Sequence, residues 1–436
     1  MPETPLEQVI PANQFTGILE EQAEPLLRLG NSLLARPDSV WNQRHYFQLI
    51  HQTNELESFL DDYGARYNRD FQFLRELVAS VRAFGQTGYS LSHMCGRIES
   101  YGIREVGDGH TVDSVTVSAT EVLDFVRTST ERLLASFIEE ARGLGLKITP
   151  EEIPDGDLVS IVVRQKLPRD IGVEQIQEEE QRIAEVASKF LLAWQILEDL
   201  GLRKIEDPKK RSKFLSRACT EEQARVYEAT VHNLQSAYDT YIKNTVLESE
   251  DANLPALRGL TSIALHLLEG ATFLTHFYER HESEVRIEST RERLAEIVGR
   301  ESIQELILNN LLVSALAALK AGKVLAEGLL TKFTNAQVLE VELGEDVLIH
   351  ARPAALIVGI VNHYGTPVTM ELGGQACNAA SILELLLAVG SNPDERRFVF
   401  RGDANPLRDV GLLFRHGLGE DGLEALPSDL SYLRTK

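Results

Sequence analysis

The sequence predicts a multidomain protein in which a long all-α region is followed by a C-terminal α+β domain. From about Phe15 to Leu330, apolar residues recur mainly with the helical period, and Gly and Pro are spaced widely enough to leave long segments uninterrupted. After Lys332 the pattern changes abruptly to short strand-like and helical stretches. The chain, with 436 residues, is also too long for one small domain.

Two stretches illustrate the helical region. Between Val173 and Leu200 apolar residues recur at helical spacing, and Gly201 follows as a C-terminal stop. A second stripe runs from Glu221 to Leu247 after Thr220, which is expected to cap it. Such stripes need partner helices to cover them, so helical bundles are expected.

Domain boundaries are predicted where the helical pattern is weakest. Gly, Pro and Asp cluster in Gly102–Val117 and Ile148–Asp170, and Leu158–Val163 is β-branched enough for a short strand. The predicted domains are a helical region over 1–150, a second helical bundle over 151–333 and an α+β domain over 336–436.

The α+β domain is predicted element by element. Gly373-Gly374 separates two short strands as a hairpin. The predicted strands are Gln337–Leu343, Val368–Leu372, Gln375–Asn378 and Arg397–Arg401, and the predicted helices are Pro353–His363, Ser381–Ala388 and Leu407–Arg415.

The charge balance excludes two classes of partner. The chain carries 44 basic and 66 acidic residues, a formal net charge of −22, and so negative a surface repels phosphate backbones and anionic lipid headgroups. Nucleic acid and the membrane surface are therefore poor partners. The apolar stretch Leu306–Leu330 is interrupted by amides and charges such as Asn309 and Lys320, so a soluble helix is expected rather than a membrane span.

Cysteine usage and the N-terminal residues indicate the compartment. The three cysteines, Cys95, Cys219 and Cys377, are widely spaced and form neither an even disulfide set nor a CxxC pair. No basic segment precedes an apolar core at the N-terminus, so no secretory signal is expected. A reducing cytoplasm is the expected location.

The most informative segment for function is 348–355, which reads Leu-Ile-His-Ala-Arg-Pro-Ala-Ala. His350 lies just ahead of a predicted helix whose first turn contains Pro353, where backbone N–H groups point outward and the helix dipole favours negative charge. An imidazole is a competent nucleophile near neutral pH, and the guanidinium of Arg352 can hold a phosphoryl group by paired hydrogen bonds. The segment indicates a phosphate site containing a nucleophile, although most helix-start histidines are plain caps or surface residues.

The order of elements and this motif together resemble the histidine-containing phosphocarrier protein HPr of the bacterial phosphoenolpyruvate-dependent sugar phosphotransferase system. The resemblance covers about Gln337 to Gly417, and 348–355 matches the family motif everywhere except at Leu348, where the family has glycine. It implies an open-faced sandwich of a four-stranded antiparallel sheet and three helices. The helical region shows no such resemblance.

The resemblance implies a role for each residue of the motif. His350 would be phosphorylated on a ring nitrogen by an enzyme I-like donor, Arg352 would stabilise the phosphoryl group, and the helix that starts at Pro353 would form the anion cradle. Ser381 would be the regulatory serine that an HPr kinase modifies in many bacteria, although Ala380 replaces the family's usual basic or amide residue. Such a protein is a phosphoryl carrier rather than a turnover enzyme, and it uses no cofactor.

Two departures from the family pattern bear on function. Leu348 adds a side chain beside the anion site. The predicted helix 353–363 lacks the lysines or arginines with which a free phosphocarrier meets enzyme I, and it is apolar on every side. We therefore expect this helix to pack on the helical region of the same chain, or on a second copy in a homo-oligomer, and so to shield His350 in part.

Two histidine–glutamate pairs lie on one predicted helix, Ala256–His281. His266 with Glu269, and His276 with Glu279, each share a helix face and could supply two metal ligands. The pairs lie roughly 15 Å apart along the helix, too far for one metal centre. Ordinary ion pairs are the expected interpretation, and no metal site is predicted.

Two further groups are expected to be structural. His93 lies near Cys95, but no second ligand pair is present to complete a metal site, so a buried polar contact is expected. The run Glu178–Glu180 is expected to be the solvated face of a helix.

Three functions compete at this point. In the first, the C-terminal domain takes a phosphoryl group on His350 and the helical region responds to it, for regulation or sensing. In the second, the domain is a degenerate structural or interaction module without phosphotransfer, which Leu348 and the missing lysines favour. The third, a metal-dependent enzyme in the helical region, rests only on the two histidine–glutamate pairs.

Overall fold

The chain folds into a long helical region followed by a C-terminal α+β domain, which confirms the predicted fold class. The structure, a computed structural model, describes residues 9–36, 40–148, 179–281, 287–344 and 348–434. The α-helices of the helical region are Ala12–Leu34 (α1), Gln43–Asp62 (α2), Gln72–Cys95 (α3), Gly109–Gly143 (α4), Glu179–Asp199 (α5), Pro208–Ala218 (α6), Glu221–Tyr241 (α7), Val246–Glu250 (α8), Asn253–His281 (α9), Glu288–Ile297 (α10), Arg300–Glu305 (α11) and Val313–Phe333 (α12).

The helix predicted over 221–247 is interrupted. Helix α7 ends at Tyr241, and Asn244 adopts a left-handed conformation with a φ of +69°, which asparagine tolerates better than most residues and which a helix cannot continue through. Thr245 then caps α8, because its hydroxyl accepts a hydrogen bond from the N–H of Glu248 at 3.2 Å. The predicted strand Leu158–Val163 and the first residues of the predicted helix 173–200 lie outside the described residues.

The described residues divide into two compact units. The first unit draws on the described residues within 1–170, 196–232 and 259–319, and the second on those within 171–195, 233–258 and 320–436. The three domains predicted at 1–150, 151–333 and 336–436 stay a prediction.

In the first unit, helices α1 to α4 pack on one another as a bundle. The buried Arg75 of α3 joins α2, because its Nη2 donates to Glu57 at 2.8 Å and to Asp61 at 2.6 Å. Gly88 of α3 lets Tyr46 of α2 approach closely, since a Cβ there would lie 2.2 Å from the tyrosine ring. The apolar stripes predicted within 173–200 and 221–247 are buried where the structure describes them, as at Phe190 of α5 and Val231 of α7.

One helical stretch of the described part, Arg300–Phe333, is long and apolar enough to cross a membrane, but 72% of its apolar window is buried within the protein. A π-helical turn at Leu306–Leu312 joins α11 to α12. Asn309 in this turn accepts a hydrogen bond from the N–H of Ile205 at 2.9 Å. A buried fraction this high is typical of a helix in the core of a protein.

The second unit contains the α+β domain, whose observed elements follow the predicted order. The four strands form one antiparallel sheet in the order β1-β4-β2-β3. The elements are Ala336–Glu342 (β1), Ala351–Tyr364 (α13), Val368–Leu372 (β2), Gln375–Asn378 (β3), Ile382–Ser391 (α14), Arg397–Asp403 (β4) and Ala404–Arg415 (α15).

The sheet is covered on one face, as an open-faced sandwich requires. Met370 of β2 pairs with Phe400 of β4 and with Cys377 of β3, and all three side chains are buried. Helix α15 packs on β1 and β4, and α14 packs on β2 and β3. Alternate side chains of β2 and β4 point to this buried core.

Part of the apolar surface of α13 is covered by the C-terminal tail, residues 416–434, and α14 and α15 pack on the same helix. Leu418, Leu426, Leu430 and Leu433 of the tail are buried in the same core as α13. Leu433 approaches Gly359 so closely that a Cβ there would lie 3.0 Å from it. The tail can cover the helix because it follows α15 directly and carries its own apolar residues.

The domain also packs on the helical region, as expected, but not at His350. The side chain of Glu185 in α5 lies against Gly365, just after the C-terminal end of α13. Helix α13 has 14 residues, so its two ends are roughly 20 Å apart. His350 lies at the N-terminal end, and the α5 contact does not shield it.

Candidate functional site

His350 is the N-cap of α13. Its Nδ1 accepts a long hydrogen bond of 3.4 Å from the backbone N–H of Arg352, two residues into the helix. Its side chain keeps 55% of its surface exposed. The imidazole therefore lies where the first amides of the helix and the positive end of its dipole meet solvent.

The second ring nitrogen of His350 is held by the tail. Its Nε2 lies 2.9 Å from Oε1 of Glu420, whose side chain is also partly exposed. A carboxylate of this kind accepts hydrogen bonds and donates none, so the contact places a proton on Nε2. Glu420 could not be identified from the sequence, because nothing in the local pattern links a residue in the tail to a helix start so far away in the chain.

A tight turn directs Glu420 toward His350. Gly417, Leu418 and Gly419 have φ angles of +59°, +55° and +72° in succession. A Cβ at Gly419 would lie 2.9 Å from the side chain of Leu356 in α13, so both the conformation and the close approach require glycine there. The buried Leu418 accepts an unfavourable backbone conformation within this turn.

The tail is anchored by a buried carboxylate. Asp409 of α15 is fully buried and accepts hydrogen bonds from the hydroxyls of Tyr364 at 2.7 Å and of Tyr432 at 2.8 Å. Tyr432 belongs to the tail, and its ring stacks on His363 of α13 with centroids 3.8 Å apart. Burial, together with the Asp409 carboxylate, raises the pKa of both tyrosines, so both stay protonated donors.

The other motif residues lie next to His350, at and before the start of α13. Arg352 is exposed in the first turn of α13 and forms no ion pair with the described residues. Pro353 is buried at the third helical position, where it fixes the first turn and contributes no N–H. Leu348 has 62% of its surface exposed, so it does not fill a buried contact.

Ser381 is the N-cap of α14. Its hydroxyl accepts a hydrogen bond from the N–H of Glu384 at 3.3 Å, and it is half-buried. The Glu384 carboxylate bonds the N–H of Asn378 at 3.0 Å. The serine is thus a regular helix cap with a carboxylate close by.

Comparison with known proteins gives one match. Residues 339–403 match the family model of the PTS HPr component phosphorylation site. The C-terminal domain is HPr-like. The match contains His350, Arg352 and Ser381 but ends at the last residue of β4, so α15 and the tail with Glu420 lie outside it. No family model matches the chain before residue 339, and no curated protein and no solved structure matches the chain significantly.

The histidines of α9 form ion pairs. His266 Nδ1 lies 2.8 Å from Glu269, whereas His276 pairs not with Glu279 but with Glu221 of α7, at 2.9 Å. Across the ranges that the structure describes, no group of three or more His, Cys, Asp or Glu side chains is arranged to hold a metal.

Two other groups from the sequence, His93 with Cys95 and the run Glu178–Glu180, also have described positions, except for Glu178. Nδ1 of His93 and Nε2 of Gln43 form a hydrogen bond at 3.0 Å, and the His93 ring packs against the ring of His266. His93 therefore forms a polar contact between helices. Cys95 is a free thiol whose pKa burial raises. Glu179 and Glu180 begin α5, whereas Glu178 lies outside the described residues.

Glu221→Gln is expected to remove a pH-dependent contribution to stability. Burial alone would raise the pKa of Glu221, but hydrogen bonds from His276, Arg225 and Arg280 lower it from 4.5 to about 2. A lowered pKa stabilises the fold above the unfolded value and loses that stabilisation as the pH falls toward 2. At neutral pH the variant should be less stable by about 2 kcal/mol, and the difference should shrink at about pH 3.

Urea unfolding of both proteins at the two pH values measures this difference. Glu222→Gln serves as the control, because Glu222 is the exposed neighbour of Glu221 and forms no ion pair with the described residues. A difference between wild type and Glu221→Gln that does not change with pH would contradict the assignment.

Proposed function

We propose that the protein is a phosphoryl acceptor of a bacterial phosphotransferase system, modified on His350 by an enzyme I-like donor. The observation that carries this proposal is an exposed imidazole that caps α13 and directs Nδ1 toward the first amides of the helix. The HPr-like fold and the family match of residues 339–403 support it. The domain would then carry a phosphoryl group rather than catalyse turnover, in the cytoplasm, where such donors act.

Nδ1 is the proposed nucleophile. With the proton on Nε2 facing Glu420, the lone pair of the ring lies on Nδ1, where it accepts from the N–H of Arg352. Both contacts of the imidazole therefore require the same tautomer. In the transfer, the Nδ1 lone pair forms the N–P bond while the bond between phosphorus and the donor breaks, and that electron pair leaves with the donor. Nε2 keeps its proton, and Glu420 balances the positive charge of the phosphorylated ring.

The start of α13 provides the anion cradle. The long Arg352 N–H contact of 3.4 Å is weak, so a phosphoryl oxygen on Nδ1 can replace it with a shorter, charge-assisted bond. The free guanidinium of Arg352 would add a paired contact, and the helix dipole favours the negative charge. Arg352 would thus stabilise the phosphoryl group after transfer.

We propose that the donor docks on α14 rather than on a basic face of α13. Leu383 and Leu387 lie one turn apart on α14 and are exposed, together with Ile382. Grouped exposed apolar side chains typically mark a protein contact. In this proposal, these apolar side chains make the contact with enzyme I that the lysines missing from α13 would otherwise make.

Ser381 is the proposed second, regulatory site, for an HPr kinase. A phosphate on its hydroxyl would lie at the N-terminus of α14, where the helix dipole favours it. The neighbouring Glu384 carboxylate opposes it, because like charges repel. Modification here would alter the same helix on which we place the donor.

A regulatory role for the helical region follows from the two ends of α13. Phosphorylation adds up to about two negative charges at His350, and the other end of the helix reaches Gly365 beside α5. A change in how α13 packs would therefore reach the helical region directly. We propose that this contact transmits the phosphorylation state.

The alternative is a structural module in which the HPr-like fold no longer transfers phosphoryl groups. The contact of Glu420 with His350 favours it, because a carboxylate beside the imidazole repels an incoming phosphoryl group. The test is incubation of the full chain with phosphoenolpyruvate and enzyme I of the same organism, with the intact mass as readout. A single added phosphoryl group supports the carrier, and an unmodified protein supports the module.

Glu420→Ala is expected to release the tautomer of His350 and to slow phosphoryl acceptance about tenfold, because a charge-assisted hydrogen bond contributes roughly 1.4 kcal/mol. Imidazole 15N chemical shifts measure the tautomer, and the initial rate of phosphorylation measures acceptance. Glu420→Gln should have a smaller effect, since its amide oxygen still accepts from Nε2.

Glu424→Ala is the matched control for Glu420. It removes a second tail glutamate, whose side chain is 93% exposed and whose nearest cation is Arg434 at 3.9 Å. Unchanged 15N shifts in Glu420→Ala would contradict the tautomer assignment, even if the rate fell.

A further inference from the structure

A basic cluster lies around helix α6 in the first unit. Residues 203–217 contain seven lysines and arginines against two acids, in a chain whose formal net charge is −22. A cavity of about 560 Å3 opens beside this helix. The cations that line this basic cavity are Arg203, Lys204, Lys210, Lys213 and Arg217.

The five cations of the basic cavity are not paired with acidic residues in the part of the chain that the structure describes. None of them forms an ion pair with the described residues, and Arg203 only donates to the carbonyl oxygen of Gly201 at 3.2 Å. The chain has 66 acidic residues, so partners are abundant elsewhere. Because these five cations form no ion pair with the described residues, the cavity has a local positive potential on an otherwise acidic protein.

Two carboxylates line the same cavity without neutralising it. Asp207 caps α6, since its Oδ1 accepts from the N–H of Lys210 at 2.8 Å, and Glu206 is exposed. Five cations and two carboxylates leave a net charge of +3 at the cavity. A ligand of matching charge would carry about three negative charges.

The cavity also has an apolar wall. Phe214 is buried and Ile205 is half-buried, and both line it. Its volume lies within the ordinary range for small-molecule pockets, roughly 300–1,000 Å3. The combination suits an organic anion, whose phosphates meet the cations while its remainder packs on Phe214.

We propose that the basic cavity binds a small phosphorylated metabolite that carries about three negative charges. A small anion responds to charges within the screening length of about 8–10 Å, whereas an extended polyanion would also meet the acidic surface of the rest of the chain. The cavity therefore favours a small molecule over nucleic acid or an anionic membrane. This site does not depend on phosphorylation of His350.

Titration calorimetry of the full chain with inorganic pyrophosphate and with adenosine diphosphate tests the proposal. Each probe should bind saturably, one per chain, and more weakly as salt is added. The double variant Lys210→Gln, Lys213→Gln should bind at least about tenfold more weakly, since it removes two of the five cations that would face the anion. Adenosine diphosphate should bind more tightly than pyrophosphate because of its apolar part.

Lys209→Gln is the matched control. Lys209 belongs to the same helix and is exposed, but it does not line the cavity, so its replacement should leave the affinity unchanged. Three outcomes would overturn the proposal: no saturation with either probe, an equal loss in Lys209→Gln, or binding of phosphatidylglycerol vesicles or RNA without binding of pyrophosphate. His350→Ala should bind both probes like the wild type, which keeps this test separate from that of phosphoryl acceptance.

Discussion

Replacing His350 by alanine is expected to abolish phosphoryl acceptance. The wild-type chain should gain one acid-labile, base-stable phosphoryl group with phosphoenolpyruvate and enzyme I of the same organism. The alanine variant should gain none, because the nucleophilic Nδ1 at the start of α13 is removed while the fold of the domain does not depend on this exposed side chain. Intact mass before and after acid treatment measures the modification.

His416→Gln and Arg352→Ala complete this experiment. His416 is an exposed histidine of the same domain, and its replacement should leave the modification intact. Arg352→Ala should slow acceptance without abolishing it, because the arginine stabilises the phosphoryl group but forms no bond to phosphorus. Labelling of His350→Ala would refute His350 as the acceptor, and an unmodified wild type would leave the structural module as the function.

Asp409→Ala is expected to destabilise the HPr-like domain by about 3–5 kcal/mol, because two tyrosine hydroxyls would lose their acceptor at a cost of roughly 1–3 kcal/mol each. The hydroxyls of Tyr364 and Tyr432 would both lose their acceptor inside the core. Arg408 would lose the Asp409 carboxylate, to which its Nε donates at 3.0 Å, but would keep its contact with the Tyr364 hydroxyl at 3.2 Å. The tail should detach first, because Tyr432 anchors it to α15.

Hydrogen exchange of the full chain measures this loss locally, in α13 and in the tail. Asp409→Asn keeps an oxygen acceptor and should cost less. Tyr432→Phe removes only the hydroxyl of the tail, keeps the stack on His363, and should cost about 1–2 kcal/mol. In Asp409→Ala the 15N shifts of His350 should change as they do in Glu420→Ala, since both variants separate Glu420 from the imidazole. Protection of the tail equal to that of the wild type would contradict this account.

The HPr-like fold could be predicted from local sequence because its signals are local. The hairpin at Gly373-Gly374, the alternation of β2 and the helix start at Pro353 depend on residues that are neighbours in the chain. The same holds for His350, Arg352 and Ser381, which all lie at helix starts, and the observed elements follow the predicted order. The helical periodicity before residue 334 similarly predicts α5 and α7, apart from the interruption at Asn244.

Contacts between distant residues could not be predicted in this way. The pairing of His276 with Glu221 rather than with Glu279 depends on how α7 lies against α9. The lysines and arginines of 203–217 are visible in the sequence, but only folding places five of them around one cavity, where no described acidic residue forms an ion pair with them. Neither the His276–Glu221 pair nor the cluster of five cations corresponds to a period or a spacing in the local sequence.

The candidate site shows most clearly which features local sequence determines and which depend on tertiary packing. Local sequence is enough to put an imidazole, a guanidinium and a proline at the start of a helix, since a helix start is specified within a few residues. Tertiary packing decides what surrounds them: the tail covers α13, and its turn through Gly419 sets Glu420 against Nε2 of His350. The reason is physical, because burying the leucines of the tail lowers the free energy of the whole domain, and the position of Glu420 follows from that burial.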